Sequence, residues 1–298
     1  MTSRSASSLS VILTTYQCTR RDRGVEIFQR TLDSLTVALQ TFQQAFPQVA
    51  LDGVIVDDGS TDETVAIAKT WLASLNGNSR WQILVQPENK GQAAARNCGA
   101  KATQGEILCF CDDDDIYFPE HFQLIYEGFQ TALPLAPPFL INLPGDRPAI
   151  VTTGMRFSDR LHPDWHHALE GTMVQNRGIR RSLHEFIGGF PEDECFRIGG
   201  EDLAYVRWAD TFGRRHHMAT ETLEYCRYPG SHFDQQLEKF QQPPDLEQLS
   251  NQVRQSPESL TEHQTRMDAY TQHHQHLMET FQRQWLSTMN PSEMNPSD

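Results

Sequence analysis

The chain is short of positive charge: 25 lysines and arginines stand against 39 aspartates and glutamates, a formal net charge of −14 over 298 residues. A protein that grips nucleic acid nonspecifically needs a basic stripe to neutralise phosphates, and none is present, so nucleic acid is not an expected partner. No run approaches the roughly 20 apolar positions that cross a bilayer, so no transmembrane segment is expected and any membrane contact is peripheral. Residues 1–8 are small and polar and the apolar run after them ends at Thr14, so no secretory leader is read there. The six cysteines (Cys18, Cys98, Cys109, Cys111, Cys195, Cys226) form no CxxC pair and no zinc-like spacing, which points to reduced thiols and a cytoplasmic location. What remains is a chain with 38% hydrophobic and 21% charged residues, long enough to bury a full core.

The most informative stretch is 107–119. Ile107 to Cys111 is a bounded apolar run that reads as a buried strand, and it empties into Asp112-Asp113-Asp114-Asp115. In open α/β sheets the carboxyl ends of the strands are where ligands bind. Four adjacent carboxylates repel one another, so either some stay protonated or a cation neutralises them. Hard oxygen ligands favour magnesium, manganese or calcium over zinc.

Other segments repeat this logic. Leu9 to Leu13 is a first strand ending at Thr14-Thr15-Tyr16-Gln17, and a helix from about Val25 to Phe46 stops at Pro47. Gly53 to Val56 is a second strand that runs into Asp57-Asp58. The following Ser60, Thr61 and Glu63 suit a helix start, whereas Asp57 and Asp58 precede the cap and are placed to face a ligand. Trp81 to Val85 is a third strand, and Gln92 to Ala102 a helix of small residues whose Arg96 stands near the acidic edge. Strand and helix thus alternate through residue 115, the pattern of a mainly parallel sheet. Pro119 to Phe129 reads as a helix, and 133–148 as a proline-rich insertion. Ile150 to Met155 and Gly171 to Val174 read as strands, with a loop holding His162, Trp165, His166 and His167 between them. Glu201 and Asp202 open a helix after Gly199-Gly200, and Tyr225 to His232 reads as a strand leading into a turn. Beyond residue 233 the composition turns glutamine-rich. Met267, Tyr270, Leu277, Phe281 and Trp285 recur at helical spacing, a packing or homodimer surface, with His273, His274 and His276 expected to face solvent.

Taken together, Val11-Ile12-Leu13-Thr14-Thr15-Tyr16, Val56-Asp57-Asp58-Gly59-Ser60, Asn89-Lys90-Gly91 with Ala95-Arg96-Asn97, the aspartate run, Gly200-Glu201-Asp202 and Arg227-Tyr228-Pro229-Gly230-Ser231 resemble the family 2 glycosyltransferases of GT-A fold. The resemblance covers residues 9 to about 232. It implies an α/β, Rossmann-like, mainly parallel sheet flanked by helices. Residues 1–232 would form the catalytic domain, with 9–115 as nucleotide-binding half and 116–232 as acceptor half, and 233–298 a helical C-terminal extension. It also implies roles by position. Thr14, Tyr16, Asp57 and Asp58 would line the nucleotide pocket, with Lys90, Arg96 and Arg227 near the base or diphosphate. Asp112 and Asp113 would lie at the sugar nucleotide, Asp114 with Asp112 and His232 would bind a divalent metal, and Asp115 would support them. Asp202, or else Glu201, would be the catalytic base. The chain departs from the family at Gln17, where asparagine is usual, and at Leu203-Ala204, where a second acid is usual.

The reaction so implied is a manganese- or magnesium-dependent, inverting transfer of a sugar from a nucleoside diphosphate donor, a UDP-sugar first among them. The acceptor would be a hydroxyl of a carbohydrate, a lipid-linked saccharide or another molecule. Two other readings stand beside it: a nucleotidyltransferase, disfavoured because Thr14-Thr15-Tyr16-Gln17 lacks the glycines of a phosphate loop, and a catalytically silent nucleotide-sugar-binding scaffold.

Overall fold

The computed structural model describes residues 8–75, 80–133, 147–157, 163–197, 199–226, 228 and 257–289. An eight-stranded sheet is their backbone. Its strands are β1 (Ser8–Thr15), β2 (Ala50–Asp57), β3 (Arg80–Val85), β4 (Ile107–Asp112), β5 (Ile116–Tyr117), β6 (Ile150–Phe157), β7 (Arg177–Arg180) and β8 (Arg215–Tyr225), in the order β3-β2-β1-β4-β7-β6-β8-β5. The first four pair in parallel; β7 runs antiparallel between β4 and β6, and β8 pairs parallel with β6 through a register irregularity near Gly154. The register sets Thr15 beside Asp57 and Thr14 beside Asp112, which brings the polar ends of β1, β2 and β4 to one edge.

Strand alternation divides the core into two layers. Val11, Leu13, Ile55, Cys109 and Cys111 face one side, packed by α1 (Gly24–Ala45), α2 (Thr64–Ser74) and α4 (His121–Gln130). Ile12, Val54, Val56, Leu108 and Phe110 face the other. That side is covered by α3 (Gln92–Ala102), α6 (Arg181–Phe186), α7 (Glu201–Phe212) and α8 (Pro257–Met289). The small residues of α3 let it lie close: a Cβ on Gly99 would overlap Ile12. Phe28, Leu32, Leu35 and Phe42 on α1 are wholly buried, a stripe at helical spacing that contributes about 1.5–3 kcal/mol per side chain.

The sequence reading differs from this architecture in several places, among them the strand read from Tyr225 onward, since β8 spans Arg215–Tyr225 and ends where that strand was to begin. Residues 171–174 form no strand: α5 (Pro163–Thr172) takes the first two, Met173 N still donates to Leu169 O at 2.9 Å, and β7 starts only at Arg177. The buried Arg177 explains the delay, because its Nε and NH2 donate to the carbonyls of Met173 and Gly171 at 2.9 and 3.3 Å and hold that stretch out of the ladder. The segment from Pro163 onward is accordingly helix and not loop, while His162 lies outside the described residues. On α8, His273 and His274 do not face solvent. His273 Nε2 donates to Ile187 O at 2.8 Å and its ring lies 4.3 Å from Trp208, while His274 lies 5.9 Å from Phe212. Of the three histidines, His276 is exposed. The stripe is a packing surface on the chain itself, with Leu277 buried and Tyr270 stacked on Trp208. The side chain of Trp285 and most of the insertion at 133–148 lie outside the described residues. Among those residues no helix is long and apolar enough to cross a membrane.

Candidate active site

A cleft of about 920 Å³ opens at the carboxyl edge of β1, β2 and β4, with Thr14, Tyr16, Asp58, Asp112, Asp113, Asp114, Glu201 and Asp202 in its walls. On the β2 side, Asp58 is buried and both its oxygens are engaged. Oδ1 accepts from Lys90 N and Gln86 Nε2 at 2.8 and 2.9 Å, and Oδ2 accepts from Gly91 N at 2.8 Å. Burial raises its pKa, against the two backbone N–H groups that lower it. Asp58 thereby shapes the turn before α3, which Gly91 completes at φ 92°, a conformation side chains rarely tolerate. Asp57 sits behind the wall, with Oδ2 accepting from Ser60 N at 2.8 Å.

The four consecutive aspartates go four ways. Asp112 ends β4 and takes donors on both oxygens: Arg96 NH2 at 2.8 Å and Gln92 Nε2 at 2.9 Å on Oδ1, Gln175 Nε2 on Oδ2. Asp113 turns inward to a forked contact with Arg21 at 2.6 and 3.2 Å, and it also accepts from the Cys18 thiol at 2.8 Å. Asp114 accepts from the Tyr228 hydroxyl at 2.9 Å, and that hydroxyl in turn accepts from Arg21 NH1 at 3.0 Å. Burial first, and then the Asp113 charge, pushes the Asp114 carboxyl up to about 7. Asp115 is buried, accepts from Cys226 N at 3.2 Å on Oδ1, and has Oδ2 without a partner among the described residues. Burial and Asp114 hold its pKa well above the usual carboxylate range.

Arg96 joins the two sides of the cleft. It is fully buried on α3, pairs with Asp112 on β4 and with Asp202 Oδ1 on α7, and lies 3.9 Å from Glu201. The Asp202 side chain keeps 22% of its surface exposed. Burial drives its pKa up to about 7 even though Arg96 pulls it down; Glu201 is raised for the same first reason.

Of the residues read from sequence, Thr14, Tyr16, Asp58, Asp112, Asp113, Asp114, Glu201 and Asp202 line the cleft, and Arg96 ties its sides from beneath. Asp57 and Asp115 lie behind it. Lys90 is exposed and lines a separate recess of about 140 Å³, while Arg227 and His232 fall outside the described residues. Sequence reading missed Arg21, Gln175, Tyr228 and Arg197, all of which line the cleft. Arg21, a cation four residues after the loop of β1, and Tyr228, inside the Arg227–Ser231 motif, carried a signal; Gln175 carried none.

A divalent cation fits these residues. Among the described residues no three His, Cys, Asp or Glu groups converge as a protein cage, but magnesium-like ions are commonly held by one or two carboxylates and the substrate's phosphates. Asp112 and Asp114 stand at the cleft with Asp113 beside them, and a cation there would relieve both the burial and the crowding that raise Asp114.

Residues 10–187 match the model of Glycosyl transferase family 2. The chain belongs to this family. Glycosyltransferase AglE of Haloferax volcanii is 31% identical over 123 residues, 41% of this chain and 34% of that protein. An uncharacterized glycosyltransferase of Haemophilus influenzae is 34% identical over 77 residues, 26% of this chain and 29% of that one. These matches span about a third of each relative. Among solved structures, S. aureus TarS 1-349 in complex with UDP-GlcNAc superposes with a TM-score of 0.56 at 20% identity, covering 76% of this chain and 60% of that one. The mannosyltransferase PcManGT of Pyrobaculum calidifontis, in complex with GDP-Man and Mn2+, gives 0.54 at 16%, covering 97% and 76%. Identities this low carry the fold, and the fold is GT-A, as the sequence resemblance implies. The family 2 match ends before α7, so Glu201 and Asp202 lie beyond it.

Proposed function

We propose that the chain transfers a sugar from a nucleoside diphosphate donor to an acceptor hydroxyl with inversion, using Asp202 as general base. The observation that carries this reading is the buried guanidinium of Arg96, which binds a donor-side carboxylate, Asp112, and a base-side carboxylate, Asp202, across one cleft. A mostly buried carboxyl that still reaches the cleft and is poised at about 7 suits proton transfer near neutral pH. Ionised Asp202 takes the acceptor's hydroxyl proton as that oxygen attacks the anomeric carbon, and the carbon–oxygen bond to the diphosphate breaks on the opposite face. One base on one face gives inversion. Arg96 keeps the base oriented before the attack. Arg21 and Tyr228 hold Asp113 and Asp114 in place, and the Asp58-braced turn at Lys90–Gly91 forms the wall beside the nucleotide. A divalent ion held by Asp114 and Asp112 would stabilise the charge developing on the leaving diphosphate.

UDP-GlcNAc and GDP-Man, the ligands of the two structural neighbours, support a sugar nucleotide as donor class. A thermal-shift panel of UDP, GDP, dTDP and CDP with manganese, magnesium or EDTA, on wild type and Asp114→Ala, identifies the base. The expected outcome is a manganese-dependent rise in Tm with one diphosphate, lost in Asp114→Ala, because a ligand that binds only the folded chain stabilises it by mass action. A chain that no diphosphate stabilises refutes the reading.

A further inference from the structure

Helix α7 begins on a turn whose local hold is a backbone bond, Gly199 N donating to Phe196 O at 3.1 Å. Gly199 and Gly200 precede it at φ 119° and 92°, and no side chain caps its first turn. Two glycines in sequence are the least stiff start a helix can have, yet the next two residues are Glu201 and Asp202. A second hold on this turn comes from α8. Arg266 NH1 donates to Gly199 O at 3.5 Å, and its Cδ and NH1 lie 3.7 Å from where a Cβ on Gly200 would sit. The guanidinium also meets Glu262 at 3.5 Å, and its Nε is buried with no partner among the described residues. Its position is fixed against the body of α7: Tyr270 stacks on Trp208 with ring centres 5.5 Å apart and planes 4° apart, and Phe281 lies 6.0 Å from Phe212. The contacts rise together along both helices, Arg266 at Gly199–Gly200, Tyr270 at Trp208 and His274 at Phe212, so these side chains seat α8 on α7 with Arg266 across its start. Both helices lie beyond the matched family span.

We propose that Arg266 is a positioning residue for the transfer: mounted on α8, it fixes the Gly199–Gly200 turn and so holds Glu201 and Asp202 in place against Arg96. The proposal rests on Asp202 as the base. It deepens that reading by assigning the C-terminal helix a part in the reaction. Arg266 touches neither substrate nor Asp202; it acts through the turn. A loosened turn lets the base wander, and small misplacements of a reacting group cost up to about a hundredfold in rate.

The test uses the full chain carrying Arg266→Ala and Arg266→Lys. It combines steady-state kinetics, nucleoside diphosphate affinity by calorimetry, and amide exchange of residues 199–203 followed by mass spectrometry. Expected for Arg266→Ala are a kcat lower by about ten- to a hundredfold, a diphosphate Kd within about twofold of wild type, and faster exchange at 199–203. Arg266→Lys restores most of both kcat and protection. The side chain is 28% exposed, so folding should survive; if alanine nevertheless unfolds the chain, Arg266→Gln takes its place with the same expectations. Wild-type kcat and unchanged exchange in Arg266→Ala overturn the proposal, as does a fall in kcat with exchange unchanged. If wild type transfers no sugar, the function reading fails on its own, and the exchange arm alone decides whether Arg266 holds the turn.

Discussion

Replacing Arg96 by methionine keeps most of the buried stem and removes the charge that Asp112, Glu201 and Asp202 share. Taking one partner from a buried ion pair costs about 3–5 kcal/mol, because the other is left uncompensated. For a domain of this size each kcal/mol moves Tm by about 2–4 °C, so the deficit should be about 6–20 °C near pH 8. The deficit should also depend on pH, with a definite sign. Asp202 has a folded pKa of about 7, above its ordinary 3.8, so its contribution to stability is complete below that ordinary value and is lost as pH rises through 7. Arg96 opposes that rise. Without it the folded pKa climbs further and the loss at pH 8 grows, whereas near pH 5 the orphaned Asp202 holds its proton. There the deficit should shrink to that of the missing hydrogen bonds, about 1 kcal/mol each. Thermal unfolding of both proteins at the two pH values measures this. A deficit below about 3 °C near pH 8, or one equally large near pH 5, refutes the reasoning that Arg96 acts as shared counter-charge.

Two further outcomes follow from the same site. The kcat/KM of wild type should rise with pH through an apparent midpoint near 7, since the ionised Asp202 is the active form, and Asp202→Asn should lower it about 10²–10⁴-fold; a flat wild-type profile across neutral pH contradicts the assignment. Tyr228→Phe removes the hydrogen bond that lowers the Asp114 pKa, so manganese-supported diphosphate binding, measured by calorimetry, should weaken several-fold near pH 7 and recover near pH 8.5. Equal affinity at neutral pH would show that Tyr228 does not tune Asp114.

The strands that carry the site were legible because parallel strands buried on both faces read as unbroken apolar runs, and β1, β2 and β4 are such runs ending in polar residues. The eleven residues of β8 were not, because Arg215, His217, Ala219, Thr220 and Glu221 are exposed on it and no apolar run announces it. β5 is two residues long, below what a pattern can register. Asp112, Asp114 and Asp202, singled out through the family resemblance, do line the cleft. Arg21 and Gln175 were not singled out, since they meet the acidic run only through contacts 92 and 63 residues apart in the chain. His273 and His274 looked solvated because a helix sequence alone does not tell how wide its buried face is; here Trp208 and Phe212 widen it by reaching across from α7.

The burial of Arg96 also sets a timetable for biosynthesis. Its partner Asp202 lies 106 residues downstream, and the neighbouring Asn97 exchanges hydrogen bonds with the backbone of Phe190. At about 5–20 residues per second a ribosome needs roughly 5–20 s to deliver Asp202 after Arg96 has been made. Through that interval Arg96 has only Asp112 to neutralise it, and α3 lacks the cover that the Phe190 loop and α7 later supply. The first half of the sheet emerges with its acidic edge drawn but not locked, and the site closes only when the second half arrives.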